Sequence, residues 1–327
     1  MPLRWPPARS AGHRSHSPVR TATSSSPARR CRPPSRRPHW AAPSPCPTTA
    51  TDPPRSPRHP ERGTTVTDAA TYGPWAVIAG GSEGVGAAFA GQLADAGINL
   101  VLVARKPGPL AETAAAVRAK GVQVRTLELD LLDPGALKEL RQVTDDVEVG
   151  LLIFNAGANS YGHEFVTGDL DRVQGVIDLN ITAQLALTHH YGALMRERGR
   201  GGIVLVGSLA GYMGTADMSI YSAVKAFSRV FAEGLWLELR EHGVHVLELV
   251  LGVTRTPAME RAGLDFSIPG LNVAEPEDVA RDGLEHLPHG PVWIAGGNEA
   301  AAAKRSGMDR AELVSRAHAH HQRLMGR

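Results

Sequence analysis

Across 327 residues the formal charge is only +2, but two opposed regions produce it. Met1 to Thr65 carries 12 arginines, no lysine, 15 of the 24 prolines and only Asp52 and Glu61 as acids, a net of +10; the remainder holds 23 basic and 31 acidic residues, a net of −8. Both cysteines, Cys31 and Cys46, stand in the basic region, which excludes a disulfide framework or thiolate metal site in the rest.

The first seventy residues show no apolar periodicity, and their apolar area is too small to offset the entropy of ordering them, which predicts a disordered Arg/Pro/Ser-rich tail over 1–70. Its arginines suit nucleic acid or an anionic membrane. Its serine-rich, acid-poor composition suits a transit peptide, against which its frequent prolines forbid an amphipathic helix. A mis-assigned start is the third reading, because Val66-Thr67-Asp68 resembles a natural beginning; N-terminal sequencing of the native protein separates the three. No apolar signal segment and no eighteen-residue apolar run are present. The expectation is a cytoplasmic protein with no membrane insertion and no nucleic-acid partner.

From residue 71 short apolar runs alternate with helical-length segments. The runs are Trp75–Ala79, Asn99–Ala104, Val122–Leu127, Gly150–Phe154, Ile203–Val206, Val244–Val250 and Val292–Ala295. Rich in Val, Ile and Leu and without period-two alternation, they read as strands buried on both faces of a parallel sheet. Between them the sequence predicts helices at Val85–Ala96, Pro109–Lys120, Gly135–Val143, Asp169–Arg198, Met218–His242 and Pro276–His286. The expected fold is α/β: one doubly wound, Rossmann-like domain of about seven parallel strands over 71–300, followed by a C-terminal helix over 301–327. Asp133-Pro134 reads as an N-cap with proline in the first turn. Glu275-Pro276-Glu277-Asp278 places acids at a helix start. Gly97, Gly121 and Gly243 read as C-terminal caps.

After the first strand comes Ala79-Gly80-Gly81-Ser82-Glu83-Gly84-Val85-Gly86. Gly80 allows a sharp turn, Gly84 a close backbone approach to a pyrophosphate, and Gly86 close packing of helix on sheet. Placed between a strand and a helix, this is a candidate dinucleotide site. The second strand ends Val103-Ala104-Arg105-Lys106. Ala104 stands where an acid would hold ribose hydroxyls, and Arg105 can fork onto a 2′-phosphate, which favours NADP(H), with NAD(H) the alternative. Asp130, after the third strand, is placed to reach an adenine ring.

Tyr221 and Lys225 stand at i and i+4 of a helix, one turn apart on one face. A phenol with an unperturbed pKa near ~10 is a poor acid–base catalyst at neutral pH, and an adjacent ammonium favours its phenolate. Ser208, thirteen positions before the tyrosine, can hydrogen-bond a substrate oxygen.

Together these motifs resemble the short-chain dehydrogenase/reductase family over Trp75 to Pro257, and more weakly beyond. The glycine motif stands as Ala79-Gly80-x-x-x-Gly84-x-Gly86, followed by Asn155-Ala156-Gly157, Asn180 in Asp178-Leu179-Asn180, Ser208, and Tyr221 with Lys225. Ala79 replaces the usual threonine, and Leu251-Gly252 replaces Pro-Gly. Leu100–Arg105 and Gly199–Ser208 look most like ketoacyl and hydroxysteroid reductases. The resemblance implies NADP(H)-dependent interconversion of a carbonyl and a secondary alcohol on an apolar substrate. It gives Ser208 the carbonyl oxygen, Tyr221 the proton, and Lys225 the phenol and the nicotinamide ribose. Asn180 interrupts its helix and anchors a water behind Lys225. Cofactor contacts implied are Gly80, Ser82, Glu83, Gly84, Val85, Gly86, Arg105, Asp130, Leu131, Asn155, Ala156, Gly157, Tyr221, Lys225, Thr254 and Thr256. No metal is expected.

Two alternatives stay open: an NAD-linked alcohol dehydrogenase, and a non-catalytic NADP-binding regulator, a class that typically loses the tyrosine or lysine. Ala258 to Val273, with Met259, Leu264, Phe266, Ile268 and Leu271 between glycine and proline hinges, suits either a substrate lid or a packed loop. Met213 and Met218 are candidates for the same pocket. His189 and His190 read as packing or surface residues, and His318, His320 and His321 as a solvated face. Likeness to relatives implies a homodimer or homotetramer through the two long helices, with Leu313, Ala317 and Leu324 as a C-terminal apolar stripe.

Overall fold

The computed structural model describes residues 69–157, 161–307, 316 and 319. The basic tail, both cysteines, the 318–321 histidines and the C-terminal stripe lie outside the described residues. A short helix α1 (Ala69–Tyr72) leads into β1 (Trp75–Ala79), α2 (Gly84–Asp95), β2 (Asn99–Ala104), α3 (Pro107–Arg118), β3 (Val124–Glu128), α4 (Ala136–Gln142) and β4 (Val149–Phe154). Next come α5 (Leu170–Ile177), α6 (Ala183–Arg198), β5 (Gly201–Ser208), α7 (Ser219–Leu239) and β6 (Val244–Leu251). The two-residue strands β7 (Val253–Thr254) and β8 (Val273–Ala274) pair with each other and bracket α8 (Pro257–Arg261). Finally come α9 (Pro276–His286), β9 (Val292–Ile294) and α10 (Glu299–Arg305).

Seven strands form one parallel sheet in the order β3-β2-β1-β4-β5-β6-β9. Strand order reverses between β1 and β4, and in such sheets the ligand crevice lies outside the carboxyl ends at that reversal. Register carries Ala79 level with Phe154, and Ser208 level with Leu251, so these strand ends open on one edge. The unbroken apolar runs follow from burial on both faces: every residue of β1 and β4 is buried. Phe89, Leu93 and Leu284 fill one face; Leu187, Tyr191 and Met195 fill the other. Each such side chain contributes about 1.5–3 kcal/mol. Tyr191 meets Thr144 Oγ1 at 3.0 Å, and burial pushes its phenol up to about 12.

Several local expectations need correction. Asp133 does not cap a helix: α4 starts at Ala136, and Asp133 Oδ1 accepts from Gly135 N at 2.7 Å in a local turn. The predicted helix Asp169–Arg198 carries a π-helical turn, Asp178–Thr182, between α5 and α6. β5 begins at Gly201 rather than Ile203, because Gly201 and Gly202 pair with Val244 and His245, a long-range match invisible to apolar pattern. α10 (Glu299–Arg305) begins the segment expected as a C-terminal helix, and most of 301–327 lies outside the described residues. Gly97, Gly121 and Gly243 do adopt left-handed φ of 76°, 93° and 67°.

One acid sits inside this core. Glu248 of β6 is 1 % exposed, and Ser228 Oγ donates to its Oε2 at 2.7 Å. Burial raises its pKa from 4.5 to about 7. The native state therefore binds this proton more tightly than the unfolded chain. The resulting stability is full below about pH 4.5 and is lost as pH rises through about 7. Glu248→Gln should exceed wild type in unfolding free energy at pH 8 by up to about 3 kcal/mol, and the gap should close towards pH 5. Denaturant unfolding at the two pH values measures it.

Candidate functional site

The glycine-rich turn after β1 is tied down from three sides. Gly80 N and Gly81 N donate to Val103 O at 2.8 and 3.2 Å, and Asn155 Nδ2 donates to Gly80 O at 2.9 Å. Gly80 and Gly84 have φ of +83° and +56°, a region side chains rarely adopt. A Cβ on Gly86 would lie 2.8 Å from Asn155 Nδ2 and closer still to Gly80 O. Gly86 thus lets α2 sit against the turn, as its place in the glycine motif implies. No side chain caps α2, so its first N–H groups remain available to an anion.

A cleft of about 530 Å³ runs from this turn across the strand ends to α7. Ser82, Glu83, Gly84 and Val85 line it at one end, with Gly80 below them. Arg105 and Asp130 flank its mouth, 3.8 Å apart and 60 % and 45 % exposed, with Leu131 beside them. Asp130 Oδ1 also accepts from Leu132 N at 3.1 Å. Asn155, Ala156 and Gly157 form the floor, and Thr254 and Thr256 the wall after β6.

Ser208, Tyr221 and Lys225 line the far end. Ser208 closes β5, and its Oγ accepts from Ala210 N at 3.1 Å. Lys225, 7 % exposed, donates from Nζ to Val206 O at 2.9 Å. Its Nζ is 5.8 Å from the Tyr221 ring centre, so the i, i+4 pair does share one face. Asn180 lies behind the cleft in the π-helical turn, its Nδ2 donating to Val176 O at 2.9 Å. A Cβ on Gly157 would come 2.7 Å from Asn180 Oδ1 and 2.9 Å from Lys225 Nζ. The four sequence-predicted catalytic residues therefore converge from three elements, with a glycine where a side chain would part them.

A family profile described as short chain dehydrogenase matches residues 74–265. The chain belongs to the short-chain dehydrogenase family. It is an oxidoreductase acting on CH–OH or carbonyl groups, in a family that binds a nicotinamide cofactor. It is 30% identical over 247 residues to a 7β-hydroxysteroid dehydrogenase of Clostridium sardiniense, covering 75% of this chain and 94% of that protein. It is 31% identical over 223 residues to a very-long-chain 3-oxoacyl-CoA reductase of Ajellomyces capsulatus, covering 67% of this chain and 64% of the reductase. A solved 7β-hydroxysteroid dehydrogenase, studied for stereoselectivity, superimposes with a TM-score of 0.70 at 26% identity, over 76% of this chain and 97% of that one. A short-chain dehydrogenase from Sphingobium yanoikuyae in complex with NADPH gives 0.62 at 34% identity, over 68% and 87%.

Other residues of this short-chain dehydrogenase enter the site without a signal in the sequence. Arg261 of α8 reaches back to Glu83, pairing with both carboxylate oxygens, and Lys106 Nζ stands 3.4 Å from the same carboxylate. These two cations hold the Glu83 carboxyl below the usual carboxylate range, the Arg261 hydrogen bond being the largest cause. Leu179 adds apolar wall, as does Met259 of the segment read from the sequence as a lid or packed loop. Met213 is buried off the cleft, and Met218 does not line it. Of the lid residues, Phe266 packs under the Arg255 guanidinium, 4.8 Å away, while Arg255 Nε meets Glu275 Oε1 at 3.0 Å. His189 and His190 lie on α6 outside the cleft, with His190 Nε2 3.9 Å from Asp145. Among the described residues no cluster of metal-ligating side chains occurs, and no helix is long and apolar enough to cross a membrane.

Proposed function

We propose that the chain is an NADP(H)-dependent reductase that interconverts a carbonyl and a secondary alcohol on an apolar substrate of the ketoacyl or hydroxysteroid kind. The observation that carries this reading is the convergence of Ser208, Tyr221, Lys225 and Asn180 at the end of a cleft that starts on a glycine-rich turn. The cleft fits a dinucleotide: an uncapped helix start faces it, and Gly84 is in a left-handed conformation 2.9 Å (as a Cβ would measure) from Thr256 Cγ2, leaving bare backbone where phosphates would lie. Gly80, Gly84, Asn155 and Thr256 would hold it.

When bound, the cofactor supplies a hydride to the carbonyl carbon. Ser208 holds the carbonyl oxygen and stabilises its growing charge. Tyr221 gives that oxygen its proton, and the Lys225 ammonium favours the phenolate left behind. Val206 O fixes the lysine in place for this. In reverse, Tyr221 accepts the alcohol proton. Retention of both tyrosine and lysine favours an enzyme over a non-catalytic cofactor-binding regulator.

Preference for NADP(H) over NAD(H) rests on Ala104-Arg105-Lys106 at the end of β2 and on the likeness to an NADPH-bound relative. Arg105 pairs with Asp130 only at 3.8 Å and half-exposed, so its guanidinium can turn to a 2′-phosphate. Arg105→Asp should weaken NADPH binding by roughly tenfold or more and NADH binding by less than about twofold. Fluorescence titration with both cofactors tests it, and equal losses would contradict the preference. A homodimer or homotetramer is supported by exposed apolar side chains on the two long helices, Leu185 and Leu194 on α6 and Phe227, Val230 and Leu237 on α7. The tail over 1–70 and a cytoplasmic location remain part of this reading; size-exclusion chromatography with light scattering tests the assembly.

A further inference from the structure

The reaction as proposed leaves one buried acid unused, and that acid touches the elements that carry it out. Glu248 stands on β6, beside the serine strand. Its carboxyl occupies the space next to Gly207, where an added Cβ would fall 2.6 Å from Glu248 Cδ. Gly207 sits between Val206, whose carbonyl holds Lys225, and Ser208. On its other side, Glu248 Oε2 accepts from Ser228 Oγ at 2.7 Å, and Ser228 Oγ accepts from Gln184 Nε2 at 2.9 Å. Ser228 stands three residues after Lys225, on the same face of α7. All three members of this network are at most 2 % exposed. A single carboxyl thus abuts the strand of the serine and bonds to the helix of the tyrosine and lysine. Through Gln184 it also reaches α6, just past the turn that holds Asn180.

We propose that Glu248 is a positioning residue for the reaction: from behind Gly207, its charge sets how strongly the Lys225 ammonium assists proton transfer by Tyr221. The proposal rests on the Tyr221–Lys225 reading given above.

The charged and titratable groups facing Glu248 are Lys225, Arg229 and Glu233 on α7 and Tyr212 on the turn after β5. Burial pushes Glu248 up to about 7; the Ser228 hydrogen bond, Lys225 and Arg229 oppose that rise, and Glu233 adds to it. Below about pH 7 the acid is neutral, and the ammonium acts on the phenolate undiminished. Above it, the carboxylate cancels part of that field. Carbonyl reduction should therefore slow as pH rises through about 7. Ser208 feels the same change through Gly207, whose lack of a side chain is what admits the carboxyl.

The test is NADPH-driven reduction of benzil, an apolar aromatic dione, from about pH 5.5 to about pH 9, spanning the Glu248 transition. Wild type, Glu248→Gln, Ser228→Ala and Tyr221→Phe are compared. Wild-type kcat should fall roughly three- to tenfold across a step near pH 7. Glu248→Gln should lack that step and keep the low-pH rate throughout. Ser228→Ala, which removes a donor to the anion, should move the step to higher pH. A Glu248→Gln profile parallel to wild type, at equal or uniformly lower height, would reduce Glu248 to a structural part and overturn the proposal. Should Glu248→Gln fail to fold, an unmoved step in Ser228→Ala overturns it equally. If Tyr221→Phe keeps wild-type turnover, or wild type reduces none of benzil, a 3-ketoacyl thioester and an oxosteroid with NADPH, the parent reading fails and takes this one with it.

Discussion

Replacing Tyr221 by phenylalanine should lower turnover by about a thousandfold, while NADPH binding changes by less than about threefold. The substitution deletes one oxygen and keeps the ring that lies 5.8 Å from Lys225 Nζ. Lys225 keeps its bond to Val206 O, and the glycine-rich turn lies on other elements, so the cofactor's cradle is untouched. What disappears is the only phenolic proton on the cleft wall beside Ser208 among the described residues. Steady-state rates together with a fluorescence titration separate the two quantities. Loss of both would make Tyr221 an anchor for the cofactor; loss of neither would take away its acid role.

Gly86→Ala should be strongly damaging for a single added methyl. The added Cβ would meet the Gly80 carbonyl and come 2.8 Å from Asn155 Nδ2, the donor that holds the same carbonyl. Relief requires α2 to move away from β1 or the turn to open, and either displaces the N–H groups facing the cleft. Overpacking of this kind costs on the order of 3 kcal/mol, and in a domain of this size that corresponds to a fall in Tm of roughly 6–12 °C. Cofactor affinity should fall with it. Thermal unfolding and titration of the same preparation check both, and an unchanged Tm would mean that α2 has slack at the turn.

The sheet was readable because its strands lie buried on both faces, so apolar runs such as Trp75–Ala79 and Asn99–Ala104 coincide with β1 and β2 residue for residue. Gly80, Gly84, Tyr221 and Lys225 were readable because their geometry is local: a turn between strand and helix, and one helical turn. Asn180 was reached only through resemblance, since nothing within a few residues marks it, and Ser208 through its spacing from the tyrosine rather than through any local motif. Arg261 escaped notice because its partner, Glu83, is 178 positions away. Glu248 escaped for the same reason and a further one. It sits in an apolar run, Val244–Leu251, where pattern alone makes it an exception rather than a member of a network with Ser228 and Gln184. β7 and β8, two residues each, are too short for any periodicity to register. The Asp133 turn shows the opposite error, a local motif read as a helix cap where the chain needed one more bend before α4.

The central claim is that this cleft passes a hydride from reduced nicotinamide to a carbonyl carbon under proton transfer from Tyr221. Incubating the purified protein with NADPH deuterated at the transferable position and benzil, then analysing the product by mass spectrometry, tests it most directly. One deuterium on the new carbinol carbon in wild type, and none formed by Tyr221→Phe, is the predicted result. An alcohol free of deuterium, or wild-type labelling by Tyr221→Phe, would contradict it.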